Sequence, residues 1–195
     1  MKGKFIVMYG ANNLGKSLQI GLLEKYLREK QIPVKRIKYP IYDLEPTGPL
    51  INQVLRQGKE MAENKVQKLY VQNRKDYEAI LKEDLEKGIW VLAEDYRGTG
   101  IAWGIVRGLD REELEDLNEN LYPEDIAFVF TGERFLTGKE ANHRNETNDA
   151  LWKKAYAIHM ILAASYGWVK IHANQKPEAV HHDIVNSLVS QNILL

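Results

Sequence analysis

Cysteine is absent from all 195 residues, which removes thiolate nucleophiles, disulfide scaffolds and cysteine-ligated zinc or iron–sulfur centres. Net charge is absent too. The 27 Lys and Arg face 27 Asp and Glu, a balance that disfavours a binder of nucleic-acid polymers or of membrane surfaces. No apolar run approaches the roughly 20 residues needed to cross a bilayer. The run nearest the N-terminus, Phe5–Tyr9, stops at Gly10, too short for a signal-peptide core. Repeats and low-complexity tracts are missing, and no Gly-, Ser- or Pro-rich linker divides the chain. The expectation is a cytoplasmic protein with one domain over residues 1–195, long enough to bury roughly 70% of its unfolded surface without staples.

The zero balance conceals a split. Residues 1–40 carry nine Lys and Arg against Glu24 and Glu29, whereas residues 110–125 carry eight Asp and Glu against Arg111. The basic end suits an anionic small ligand, and the acidic block reads as a solvated helix face. Short β-rich runs punctuate the chain at Phe5–Tyr9, Val34–Ile37, Ile89–Ala93, Ile126–Phe130 and Trp168–Ile171. Phe5–Tyr9 lacks polar alternation, as a strand buried on both faces does. Between the runs lie helical patterns after Gly15, at Leu50–Leu55, over residues 61–87, at Gly98–Arg107, Arg111–Asn120 and Leu151–Ser165, and at Pro177–Val189. Strands alternating with helices predict a three-layer α/β domain around a five-stranded parallel sheet. Trp90, Trp152 and Trp168 read as core; Trp103 does not.

Gly10-Ala-Asn-Asn-Leu-Gly15-Lys16-Ser17 matches G-x-x-x-x-G-K-[ST] at every fixed position, between a strand and an amphipathic helix. Glycines let backbone wrap a phosphate, and the N–H groups with the helix N-terminus supply positive potential. Gly10, Asn12, Asn13, Gly15, Lys16 and Ser17 are therefore the predicted ATP-binding residues, with Lys16 reaching the phosphates and Ser17 ligating Mg²⁺. The fold expectation sharpens to the P-loop type. Glu94-Asp95 ends the third strand, at the carboxyl edge where open α/β proteins bind ligands, so one of the two is a candidate Mg²⁺ ligand, with a solvated strand end as the competing reading.

Tyr70 and Arg74 share a helix face four residues apart, beside Asn73, and suit a base-stacking ring with a guanidinium on the base edge; a surface cation–π pair is the competing reading. Residues 131–148 are polar and carry Arg134, Lys139, His143 and Arg144, the composition of a lid over transferring phosphates or of an exposed loop. His181 and His182 are adjacent and form no metal pair.

Together these residues resemble the thymidylate kinase family of P-loop nucleoside-monophosphate kinases, in order over nearly the whole chain. Lys38-Tyr39-Pro40 resembles its Arg-x-Pro segment, and Leu69-Tyr-Val-Gln-Asn73-Arg74 its Leu-Phe-x-x-Asn-Arg helix. Glu94-Asp95-Tyr96 through Arg107-Gly108-Leu109 is similar to Asp-Arg-Tyr…Arg-Gly-Leu, Tyr122-Pro-Glu-Asp125 to its Pro-Asp, and Arg144-Asn-Glu146 to the lid's Arg-x-Glu. Residues 171–184 resemble its last strand, Asp-Ala loop and closing helix. The resemblance implies ATP + dTMP → ADP + dTDP, with Mg²⁺, in a homodimer. It implies that Lys16, Glu94 and Arg144 are catalytic. The acceptor would fall to Lys38, Tyr70, Arg74, Asp95, Arg97 and Trp103, with Trp103 where a tyrosine packs on the sugar. Three positions depart from the pattern: Asp95 stands for the arginine that grips the acceptor phosphate, Asn12 for an acidic residue and Tyr42 for an arginine. Lys38, Arg97 or Arg107 are the candidate replacements. A kinase of another acceptor, or a weakly catalytic nucleotide-binding module, stays open beside dTMP.

Overall fold

The computed structural model describes residues 2–135 and 149–194. Its described elements run β1 (Phe5–Tyr9), α1 (Lys16–Glu29), β2 (Val34–Lys38), α2 (Thr47–Arg56), α3 (Glu63–Glu86), β3 (Trp90–Glu94), α4 (Arg97–Val106), α5 (Arg111–Asn118), β4 (Ile126–Thr131), α6 (Asp149–Tyr166), β5 (Val169–His172) and α7 (Pro177–Ser190). The strands form one parallel sheet in the order β2-β3-β1-β4-β5. Each predicted strand and helix is present, with boundaries shifted by a few residues.

The apolar runs are continuous because both sheet faces are covered. From β1, Ile6 and Met8 point into a core with Leu23 and Leu27 of α1 and Ile184 and Leu188 of α7. Phe5, Val7 and Tyr9 point the other way, against Leu81 and Leu85 of α3, Ala102 of α4 and Leu162 of α6. The two-residue period of a strand thus divides five consecutive residues between two cores. A smaller cluster joins Ile51, Val54 and Leu55 of α2 to Val66 and Tyr70 of α3. Burial of Phe5–Tyr9 alone, all at 0–1% exposure, accounts for several kcal/mol of hydrophobic stabilisation, at about 1.5–3 kcal/mol for each large side chain.

The acidic block becomes α5, where it suits its place. The Asp110 side chain accepts from the Glu113 N–H at 3.1 Å, and Glu112 and Glu113 occupy the positive first turn. Trp90, Trp152 and Trp168 are buried, as expected. Trp103 is a correction in part: it is only 5% exposed, though it belongs to none of these three clusters.

Candidate active site

The carboxyl ends of β1, β2 and β3 open onto a cavity of ≈ 420 Å³. Its wall is formed by the loop Asn12–Ser17, by Lys38, Glu94 and Asp95, and by Tyr70, Arg74 and Trp103. The parallel register explains this arrangement. Lys38 is paired with Glu94, and Met8 with Glu94, so loop, lysine and carboxylate leave the sheet at one level.

Within the loop, Gly10, Asn13 and Gly15 adopt positive φ of 136°, 62° and 80°. A Cβ on Gly10 would lie 3.2 Å from the Phe130 carbonyl oxygen, so this glycine is also sterically required. Lys16 is 5% exposed, and its Nζ donates to the Gly10 and Ala11 carbonyls at 2.9 and 3.1 Å. Asn13 also lines this cavity, and its side-chain nitrogen is a buried donor without a hydrogen-bond partner. Lysine, glycine cradle and orphaned donor all fit a polyphosphate.

Ser17 Oγ donates to Glu94 Oε2 at 2.6 Å, and Lys38 Nζ lies 3.0 Å from Glu94 Oε1. Burial would raise the Glu94 carboxyl, but Lys16, Lys38 and the bonds from Ser17 and Lys38 outweigh it and hold the group below its usual range. Asp95 shifts the opposite way. Burial, reinforced by Glu94, raises it despite Lys16, whose Nζ is 3.8 Å from Oδ1. Asp95 has φ 62° and accepts from Thr99 Oγ1 at 2.8 Å. Among the described residues no three His, Cys, Asp or Glu side chains cluster for a metal. A hard cation shared by Ser17 Oγ, Glu94 and phosphate oxygens still fits, since Mg²⁺ is commonly held by one or two protein oxygens plus phosphates.

Arg74 is fully buried, and burial lowers its pKa from the ordinary range. Its Nη1 donates to Asn118 Oδ1 at 3.1 Å and its Nη2 to the Tyr96 carbonyl at 3.0 Å. Its Nε is buried without a hydrogen-bond partner. Arg74 also stands 5.9 Å over the Tyr70 ring, so the shared helix face is real. Asn73 does something else. It clamps the segment after β2, accepting from Ile41 N and donating to Ile41 O at 2.8 and 2.9 Å.

Arg97 is a second correction. It turns from this cavity to pair with Glu124 at 2.9 Å and lines a separate groove beside Trp168. Its position at the first turn of α4 sets that direction, and Glu124, itself bonded by Tyr9 at 3.1 Å, captures it. Arg107 does not line the cavity either. Lys38 does. Arg144, with Lys139 and His143, lies outside the described residues. Of the polar 131–148 segment, Arg134 is described: it pairs with Asp149 at 2.8 Å and stacks 5.7 Å from Trp152. Asn118, Gly100 and Phe135 carry no signal of their own in the sequence. Asn118 sits inside the acidic block, where nothing in its composition marks it out.

A sequence model described as "Thymidylate kinase" matches residues 9–184. Thymidylate kinase of Plasmodium falciparum is 29% identical over 194 residues, covering 96% of this chain and 90% of that protein. The thymidylate kinase of Dictyostelium discoideum is 24% identical over 190 residues, covering 94% and 83%. Among solved structures, a thymidylate kinase from Candida albicans superposes with a TM-score of 0.81 at 17% identity, covering 98% of this chain and 93% of its own. At that identity the likeness shows the fold.

Proposed function

The chain belongs to the thymidylate kinase family, and from that premise we propose that it transfers the terminal phosphoryl group of ATP to a nucleoside monophosphate, dTMP, yielding ADP and dTDP. One observation carries this reading: a single cavity is lined both by the Gly-Lys-Ser loop and by Tyr70 and Arg74.

In the transfer, the bond from the terminal phosphorus to the bridging oxygen of ADP breaks, and a bond to an oxygen of the dTMP phosphate forms. No covalent enzyme intermediate is required, so the residues act by positioning and by stabilising charge. Lys16 binds the ATP phosphates, aided by the loop amides and by Asn13. Ser17 and Glu94 would hold Mg²⁺, which would neutralise charge on the phosphate oxygens. Tyr70 stacks on the base, Arg74 bonds its edge, and Trp103 walls the sugar. Lys38, the described cation nearest Glu94 from β2, approaches the acceptor phosphate. Arg144 remains the cation assigned to the transferring group. We also assign the chain a single kinase domain, a homodimeric state and a cytoplasmic location. Among the described residues no helix is long and apolar enough to cross a membrane. Monomer mass by light scattering at micromolar concentration would refute the dimer.

The test is ADP release with Mg²⁺-ATP against a panel of acceptors. Lys16→Ala abolishes turnover with dTMP under this reading; near-wild-type activity overturns it. Asp95 on the cavity wall favours a second reading, a different acceptor, which dTMP as the best substrate would eliminate.

A further inference from the structure

The crest of the phosphate loop is held from outside. The Trp152 indole Nε1–H donates to the Asn12 carbonyl at 2.7 Å, and the Phe135 backbone N–H donates to the Asn13 carbonyl at 2.9 Å. These two carbonyls bracket Asn13, whose φ of 62° places it in the left-handed region. A non-glycine residue adopts that conformation at a conformational cost and keeps it where surrounding contacts fix it. Trp152 is 9% exposed, belongs to the core cluster beneath α1, and does not line the cavity. The Asn12 carbonyl that accepts from it is therefore directed away from the phosphate side. Trp152 is itself fixed, stacked on Tyr156 with ring centroids 5.4 Å apart and covered by Arg134. Tyr156 in turn accepts from the Gly132 N–H at 3.2 Å.

We propose that Trp152 is a positioning residue for nucleotide binding: its indole N–H holds the Asn12 carbonyl off the cavity, so that the loop presents amides and not a carbonyl oxygen to the phosphates. The reason is electrostatic. The Asn12–Asn13 peptide precedes a residue held in the left-handed region, and its rotation would relieve that conformation while bringing a partial negative charge toward an anion. A hydrogen bond from a buried indole opposes that rotation. Phe135 secures the next peptide, so the two ends of the segment between β4 and α6 both anchor the loop. The inference rests on the reading of Gly10–Ser17 as the ATP-phosphate loop.

The experiment is titration calorimetry of the full chain with ADP and Mg²⁺, alongside steady-state kinetics, for wild type and Trp152→Phe. Phenylalanine retains an aromatic ring for Arg134 and Tyr156 and removes the donor. The expected result is an ADP Kd raised about fivefold and a KM for ATP raised in parallel, with the KM for dTMP unchanged, in line with loss of one neutral hydrogen bond. An unchanged ADP Kd with a lowered melting temperature makes Trp152 merely structural and overturns the proposal. Wild-type protein that does not bind ADP overturns instead the reading of the loop. Should Trp152→Phe fail to fold, the ¹⁵N-indole spectrum of the wild type decides. By linkage, ADP must slow exchange of the Trp152 indole proton, and exchange unaltered by ADP refutes the proposal.

Discussion

Replacing Gly100 with alanine tests the acceptor part of the cavity with one methyl group. Gly100 lies on α4, and a Cβ there would meet Arg74 Nη2 at 2.7 Å, Nη1 at 3.1 Å and Cζ at 3.3 Å. Ordinary contact begins near 3.4 Å, so the guanidinium must retreat by about 0.7 Å. Its bonds to Asn118 and Tyr96, at 3.1 and 3.0 Å, would be stretched beyond hydrogen-bonding range by such a shift along them. Bonds from a charged donor are worth roughly 1.5–3 kcal/mol each, whereas Gly→Ala in a helix returns only about 1 kcal/mol. Displacement therefore outweighs helix propensity, and stability falls by about 2–5 kcal/mol. The functional effect is separable. A guanidinium moved this far loses its aim at the base edge, and the KM for dTMP rises about tenfold, equivalent to ~1.4 kcal/mol. The KM for ATP, set by the phosphate loop, stays within twofold. Coupled ADP-release kinetics with each substrate varied in turn, plus thermal unfolding, measure all three quantities. A Gly100→Ala enzyme with a wild-type KM for dTMP would sink the assignment of Arg74 to the acceptor base.

Other expectations concern the charges inside. Asp95→Asn keeps the shape and the left-handed backbone that asparagine tolerates, and removes one negative charge from the cavity wall. It should lower the KM for dTMP by about tenfold, roughly 1.4 kcal/mol, and a higher KM would show that the carboxylate assists binding. His159 on α6 is fully buried, with Nδ1 2.7 Å from the Ala155 carbonyl and Nε2 unpartnered, and burial pushes its pKa from 6.5 down to about 4. Because the folded state binds this proton less readily than the unfolded chain, its neutral form favours folding fully above about pH 6.5. That contribution is lost as pH falls toward about 4, by roughly 3 kcal/mol. Urea unfolding between pH 4 and 7 should show a shallower acid loss in His159→Leu than in wild type; parallel curves would refute the burial argument.

Much of the fold is legible in the sequence because it depends on local patterns. Phe5–Tyr9, with no polar residue, announces a strand covered on both faces, and the Gly-Lys-Ser turn announces the helix beyond it. Lys38 reads as a site residue through the resemblance of Lys38-Tyr39-Pro40 to an Arg-x-Pro segment, and Tyr70 with Arg74 because four residues bring a helix back to the same face. Trp103 misleads on burial alone: it is 5% exposed yet lines the cavity, because a cavity wall can be nearly as covered as a core. Arg97 misleads because sequence proximity to Glu94-Asp95 says nothing about direction. At the first residue of α4 it meets Glu124, 27 residues away, as its partner. Asn118 and Trp152 have no local signal, since each acts through a group brought near by long-range packing.

The sequence by itself determined the order of strands and helices, the phosphate-binding loop and its position at a strand end, since these depend on residue spacing and backbone freedom within a few neighbours. Only the tertiary structure decided which charges meet in the cavity. Lys16 with Asp95, Lys38 with Glu94, and Arg74 with Asn118 are partners separated by 44 to 79 residues, joined because parallel register aligns the strand ends and helix packing orients each side chain. The chain's balance of 27 positive and 27 negative groups carries no trace of that pairing. Coulomb interactions depend on separation in space and on burial, and both are set when the sheet is covered.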